Sequence, residues 1–122
     1  MSAKKVGDRF VAMIRDHQFM PAIQELYADD VVSVEAMSMG GRSPETRGKP
    51  AVVAKSEWWD ANHELHSMEV EGPFPHGGDR FAVIYRIDVT SKVNGGRSQM
   101  AEVAVYTVAD KQITREEYFY GA

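Results

Sequence analysis

The chain contains no cysteine. Disulfides and thiolate chemistry are therefore excluded, and cytoplasmic residence is the expected location. No run of Lys and Arg occurs, and the formal net charge is −4. Nucleic acids and anionic membranes call for a basic footprint, so neither is expected as the main partner. No apolar stretch reaches the roughly 20 residues that span a bilayer. The opening Met1-Ser2-Ala3-Lys4-Lys5-Val6 lacks the apolar segment of a secretory signal. No G-x-G-x-x-G, P-loop or Cys/His zinc pattern appears, so neither a nucleotide cofactor nor structural zinc has support. No internal repeat, low-complexity tract or linker interrupts the chain.

What is present suffices for one compact domain, residues 1–122. The length is 122 residues and 43% of them are hydrophobic, enough to bury a core and escape disorder. The first third reads as helical. Val6, Phe10, Met13 and Ile14 follow helical spacing, as do Phe19, Ile23, Leu26 and Tyr27. Pro21 suits the first turn of the second helix. Gly40, Gly41, Ser43, Pro44 and Gly48 mark a flexible loop, and Pro50 can open a third helix. On that helix Ala51, Ala54, Trp58, Ala61 and Leu65 form an apolar stripe, which places Trp58 in the core.

After Leu65 the period changes to two. Met68, Val70, Gly72 and Phe74 share one face, and so do Phe81, Val83, Tyr85, Ile87 and Val89. Turns are expected at His76-Gly77-Gly78-Asp79, Asn94-Gly95-Gly96 and Ala109-Asp110-Lys111. Two further strands run near Gln99 to Val108 and Ile113 to Tyr120. Helices first and an antiparallel meander after make the class α+β.

One segment carries a chemical signal. Tyr27-Ala28-Asp29-Asp30-Val31-Val32-Ser33-Val34-Glu35 reads as a helix end, an acidic turn and a short strand. Strand alternation puts Val31, Ser33 and Glu35 on one face. A carboxylate on a half-buried strand is costly unless paired, hydrogen-bonded or protonated, so a retained one is a candidate for function. The alternative is a frayed edge where Glu35 meets water.

The strand Met100 to Thr107 is apolar on both faces. Met100, Glu102, Ala104 and Tyr106 occupy one, and Ala101, Val103, Val105 and Thr107 the other. A domain this small has too few helices to cover both, so a two-fold homodimer through the outer sheet face is expected.

The helix–helix–strand–helix–meander order, with Leu26-Tyr27-Ala28-Asp29-Asp30 closing the second helix, resembles the SnoaL-like group of the NTF2-like superfamily. Glu57-Trp58-Trp59, Glu102-Val103-Ala104-Val105-Tyr106-Thr107-Val108 and Ile113-Thr114-Arg115-Glu116-Glu117-Tyr118-Phe119-Tyr120 carry the same likeness. The resemblance implies a curved sheet wrapped around three helices as a cone with an internal pocket. It also implies that Glu35 stands where ketosteroid isomerases place their general-base aspartate. The oxyanion tyrosine and protonated aspartate of those enzymes fall on Val11 and Ala104 here. Each such donor is worth about 3 kcal/mol, so literal steroid isomerisation is not expected. SnoaL-type cyclases, which lean on one carboxylate and an acidic substrate, suit the chain better.

Candidate roles follow. Glu35 would be a general base with its pKa raised by apolar neighbours. Glu102 would be a second carboxylate in the same cavity, or else a partner of Arg86 or Arg97. His63 would be an acid/base group at the pocket rim. His63-Glu64-Leu65-His66 lacks the spacing of a zincin and is not read as a metal site. Trp59, Tyr85, Tyr106, Glu116, Tyr118 and Tyr120 would line the pocket and orient a ligand. For the last strand the alternative is edge packing with its hydroxyls in water. Met37 and Met39 could flap over the cavity. Two functions stay open: a cofactor-free acid–base isomerase, cyclase or dehydratase acting on a hydrophobic cyclic or polyketide-like molecule, and a non-catalytic module that binds a small apolar ligand or serves as a dimeric scaffold.

Overall fold

A computed structural model describes residues 2–38 and 43–120. Helix α1 (Ala3–Arg15) starts at the N-cap Ser2 and buries Val6, Phe10, Val11, Met13 and Ile14 along one face. Helix α2 (Phe19–Leu26) buries Ala22, Ile23 and Leu26. Strand β1 (Tyr27–Val34) follows directly, then the three-residue β2 (Glu45–Arg47) and helix α3 (Lys49–Asn62). Four long strands complete the chain: β3 (His63–His76), β4 (Arg80–Ser91), β5 (Arg97–Ala109) and β6 (Gln112–Phe119).

All six strands form one sheet in the order β2-β1-β6-β5-β4-β3. Every pairing is antiparallel except β1 with β6, which is parallel. The three helices pack on the concave face, as the α+β cone requires. Helix α1 lies tight on β3 and β4. A Cβ added at Gly7 would come within 2.9 Å of Pro73 and 3.0 Å of Phe81, so a side chain there would push the helix off the sheet. The core runs through Phe10, Phe81 and Tyr106, whose rings stack or tilt on one another 4.7–6.1 Å apart. Asp110 and Lys111 both have positive φ, the two-residue loop that matches the twist of a β5–β6 hairpin.

Several expectations need correction. The second helix stops at Leu26, and Tyr27 to Asp30 already belong to β1 rather than to a helix end and acidic turn. Tyr27 is 3% exposed and its hydroxyl is anchored on Glu116, which holds the backbone extended. Strand β2 lies inside the segment expected to be loop, paired to β1 through Thr46 and Ser33. Of that loop, Gly40 and Gly41 lie outside the described residues. The third helix ends at Asn62, so Leu65 belongs to β3. Its stripe is also wrong. Ala51, Ala54 and Ala61 are exposed and Trp58 is 53% exposed, while Val52 is fully buried. Alanine tolerates either face of a helix, and this helix roofs a cavity instead of packing against a solid core, so apolar count misjudged its inner face. Phe74 faces solvent because the β3–β4 register slips between Glu71 and Phe74. The last strand is not an edge: β6 lies between β1 and β5.

Candidate functional site

A cavity of about 1260 Å³ opens between the helices and the concave face of the sheet. Phe10, Ile14, Phe19, Met20 and Ile23 of the first two helices supply one apolar wall. Leu65, Met68 and Ile87 supply another from the sheet. Met37, Trp58 and Val93 also line it and are 42%, 53% and 69% exposed, which places them at the mouth. Met39 lies outside the described residues. All nine candidate residues from the sequence line this one cavity: Glu35, Trp59, His63, Tyr85, Glu102, Tyr106, Glu116, Tyr118 and Tyr120.

Strand register explains how. Ser33 of β1 pairs with Glu116 of β6, and Glu116 pairs with Tyr106 of β5. Glu102 of β5 pairs with Tyr85 of β4. Paired residues project from the same face, so two polar rows cross the concave surface side by side.

The first row is a continuous hydrogen-bonded chain. The Tyr27 hydroxyl donates to Glu116 Oε1, and the Ser33 hydroxyl donates to Glu116 Oε2 at 2.6 Å. Lys55 Nζ, on α3, donates to Ser33 Oγ at 2.6 Å and to Glu35 Oε1 at 3.0 Å. The Tyr120 hydroxyl donates to Glu35 Oε2 at 3.0 Å. Glu116 is 2% exposed, and two donors offset the cost of burying it. Glu35 is therefore half-buried beside an ammonium and a phenol, not surrounded by apolar groups as the sequence suggested.

The second row holds a differently placed carboxyl. Burial pushes Glu102 up to about 7, the charges of Glu35 and Glu116 add to the effect, and Lys55 opposes it. Beside it the hydroxyls of Tyr85 and Tyr106 meet at 2.6 Å. Burial raises both phenols, and Tyr118 with them. Tyr120 is pushed up to about 12, first by burial and then by Glu35. These tyrosines stay neutral donors across the working range of pH. Glu102 does not pair with Arg86 or Arg97, which bind Glu71 and Asp88 instead.

His63 is held at the rim. Its ring stacks on Trp59 at 4.4 Å, and Nδ1 donates to the Trp59 carbonyl at 2.8 Å, which leaves Nε2 as the acceptor nitrogen of the neutral ring. His66 turns elsewhere and bonds Thr90 Oγ1. Among the described residues no group of three or more acidic or His side chains is placed to hold a metal ion, and no helix is long and apolar enough to cross a membrane.

The sequence reading missed Lys55 and Tyr27, and it named Ser33 without a role. Lys55 had a signal available. It lies three residues after Val52 and four before Trp59, the spacing of one helix face. Its charge marked it for solvent, and only the sheet beneath turns that face into a cavity wall.

The same architecture occurs in solved structures. A candidate SnoaL-like polyketide cyclase from Mesorhizobium loti is 38% identical, with a TM-score of 0.92 over 98% of this chain and 100% of that one. A Mycobacterium tuberculosis protein in complex with estradiol-17β-hemisuccinate is 22% identical, with a TM-score of 0.75 over 99% of this chain and 95% of that one. An NTF2-like protein of unknown function from Burkholderia pseudomallei is 20% identical, also at 0.75, over 99% and 92%. None of the curated proteins compared matches the chain. The SnoaL-like domain family model matches residues 1–120, so the chain belongs to the SnoaL-like family, with the cone fold of NTF2-like proteins.

Proposed function

We propose that this protein is a cofactor-free acid–base enzyme, an isomerase, cyclase or dehydratase, acting on a hydrophobic cyclic molecule that carries a carbonyl. The observation that carries the reading is the pair of carboxyls in one apolar cavity, one ion-paired and the other pushed up to about 7. Two acids whose surroundings differ in this way divide naturally into base and acid. Glu35 takes the proton from the carbon next to the carbonyl. The C–H electron pair becomes the new C=C bond, and the carbonyl π pair moves to oxygen. Glu102, protonated near neutrality, donates to that oxygen. The hydroxyls of Tyr85 and Tyr106 orient the polar end, and Trp59 with His63 closes over the apolar body. The two oxyanion positions that the sequence left empty, Val11 and Ala104, stay apolar and fully buried, and the paired tyrosine hydroxyls supply donors by another route. The steroid ester bound in the M. tuberculosis relative supports a flat polycyclic ligand, and 1260 Å³ is ample for one.

The test is turnover of enolisable cyclic ketones by wild-type protein and Glu35→Gln. The variant should lose at least ~100-fold, the usual worth of a general base, and wild-type turnover should fall above pH ~7 as Glu102 loses its proton. Unchanged turnover in the variant would end the assignment. A second reading, ligand binding without chemistry, draws on the Lys55–Glu35 ion pair, which satisfies Glu35 without any substrate. It predicts binding of the same ketones with no proton exchange at the α-carbon.

The assembly we propose is a two-fold dimer through the convex face. Ile84, Val103 and Phe119 stand side by side there across three strands, with Ala82 and Val105 adjacent. Phe119 is 53% exposed in the single chain, a solvent contact that a second copy would remove.

A further inference from the structure

Lys55 is the one cation in hydrogen-bond contact with the polar rows of the cavity among the described residues. An ammonium has three N–H bonds. Two of them go to Ser33 and Glu35. The Tyr118 ring lies below, its centroid 5.6 Å from Nζ, and the side chain keeps 28% of its surface open. Every other charged group that faces it is acidic: Glu35 from the end of β1, Glu116 from β6 through Ser33, and Glu102 from β5. The phenols of Tyr118 and Tyr120 complete its surroundings.

This placement has a consequence for charge. In the resting cavity Lys55 is neutralised by Glu35. When Glu35 accepts a proton, that neutralisation disappears. At the same moment negative charge develops on the ligand oxygen, or on Glu102 once its proton has been given up. The cation then has a new anion to face, and no charge has to leave the low-dielectric hollow.

We propose that Lys55 is the anion-binding residue of the cavity, and that the ligand it serves is a weakly acidic oxygen compound, an enol or phenol held as its oxyanion. This rests on the acid–base reading of Glu35, but its test involves no turnover. The probe is 4-nitro-1-naphthol, a two-ring phenol whose ionised form is coloured. Its ionisation is titrated by absorbance while bound to wild type, Lys55→Met, Lys55→Arg and Glu35→Gln.

The naphthol bound to wild type should ionise at least one pH unit lower than when bound to Lys55→Met, a tenfold change in its ionisation equilibrium. Lys55→Arg should restore most of that difference. Glu35→Gln should bind the naphtholate about tenfold more tightly than wild type, because the cation is no longer neutralised. That last result is the opposite of what loss of a structural ion pair would produce, and it stands even where Lys55→Met does not fold. Equal ionisation in wild type and Lys55→Met overturns the proposal. So does weaker naphtholate binding by Glu35→Gln, or no binding by wild type at millimolar probe. Failure of Glu35→Gln to lose turnover would remove the acid–base reading instead, and the two outcomes are separately visible.

Discussion

Replacing Glu102 with Gln should stabilise the folded protein in alkali and leave it nearly unchanged in acid. The folded protein holds this carboxyl at about 7, against an ordinary glutamate value of 4.5. Between those limits the native state binds more protons than the unfolded chain, so stability falls as pH rises through the window. The displacement corresponds to about 3 kcal/mol, lost in full above pH ~8 and absent below pH ~4. That is a large share of a domain stability of roughly 5–15 kcal/mol. Gln keeps the volume and removes the charge, so the variant escapes the loss. Urea unfolding of both proteins at pH 4 and pH 8.5 measures it, and contributions common to both proteins cancel in the difference. The expected gap is near zero in acid and about 2–3 kcal/mol in favour of the variant at pH 8.5, where water entering the open cavity sets the lower figure. Because Glu35 is the second cause of the displacement, the gap should shrink in a Glu35→Gln background. A pH-independent difference, or a variant weaker than wild type at pH 8.5, would refute the reasoning.

Tyr27→Phe removes one of the two donors to buried Glu116. It should cost about 1–3 kcal/mol in urea unfolding, whereas an unchanged midpoint would mean that the hydroxyl does not hold the carboxylate. Val105→Lys places a charge in the middle of the convex patch and should convert a dimer to a monomer in sedimentation velocity. Equal sedimentation of variant and wild type would argue against that face as the interface.

The concave sheet positions were largely legible, because strand periodicity is strict: a residue two places along returns to the same face. Phe81, Val83, Tyr85, Ala104 and Tyr106 follow from it and are buried. So does the grouping of Glu102 with Tyr106, and of Glu116 with Tyr118 and Tyr120. Helix α3 was not legible in the same way. Its alanines and tryptophans carry no sign of which face meets the cone, and a lysine on the inner side contradicts every hydrophobic pattern. Phe74 shows the other failure, where a register slip turned an expected core ring outward.

The sequence by itself determined the class, the order of the helices and long strands, the helical core of α1 and the inward face of β4 and β5. These follow from local periodicity, which each segment carries within itself. Only the tertiary structure decided that Lys55 reaches across to Ser33 and Glu35, that Tyr27 secures Glu116, and that Glu102 is buried, with two other carboxylates near it, so that it holds its proton to near neutrality. Those facts depend on distances between residues 14 to 89 positions apart, and electrostatic energy is set by separation in space and by the exclusion of water, neither of which is written in the spacing along a chain.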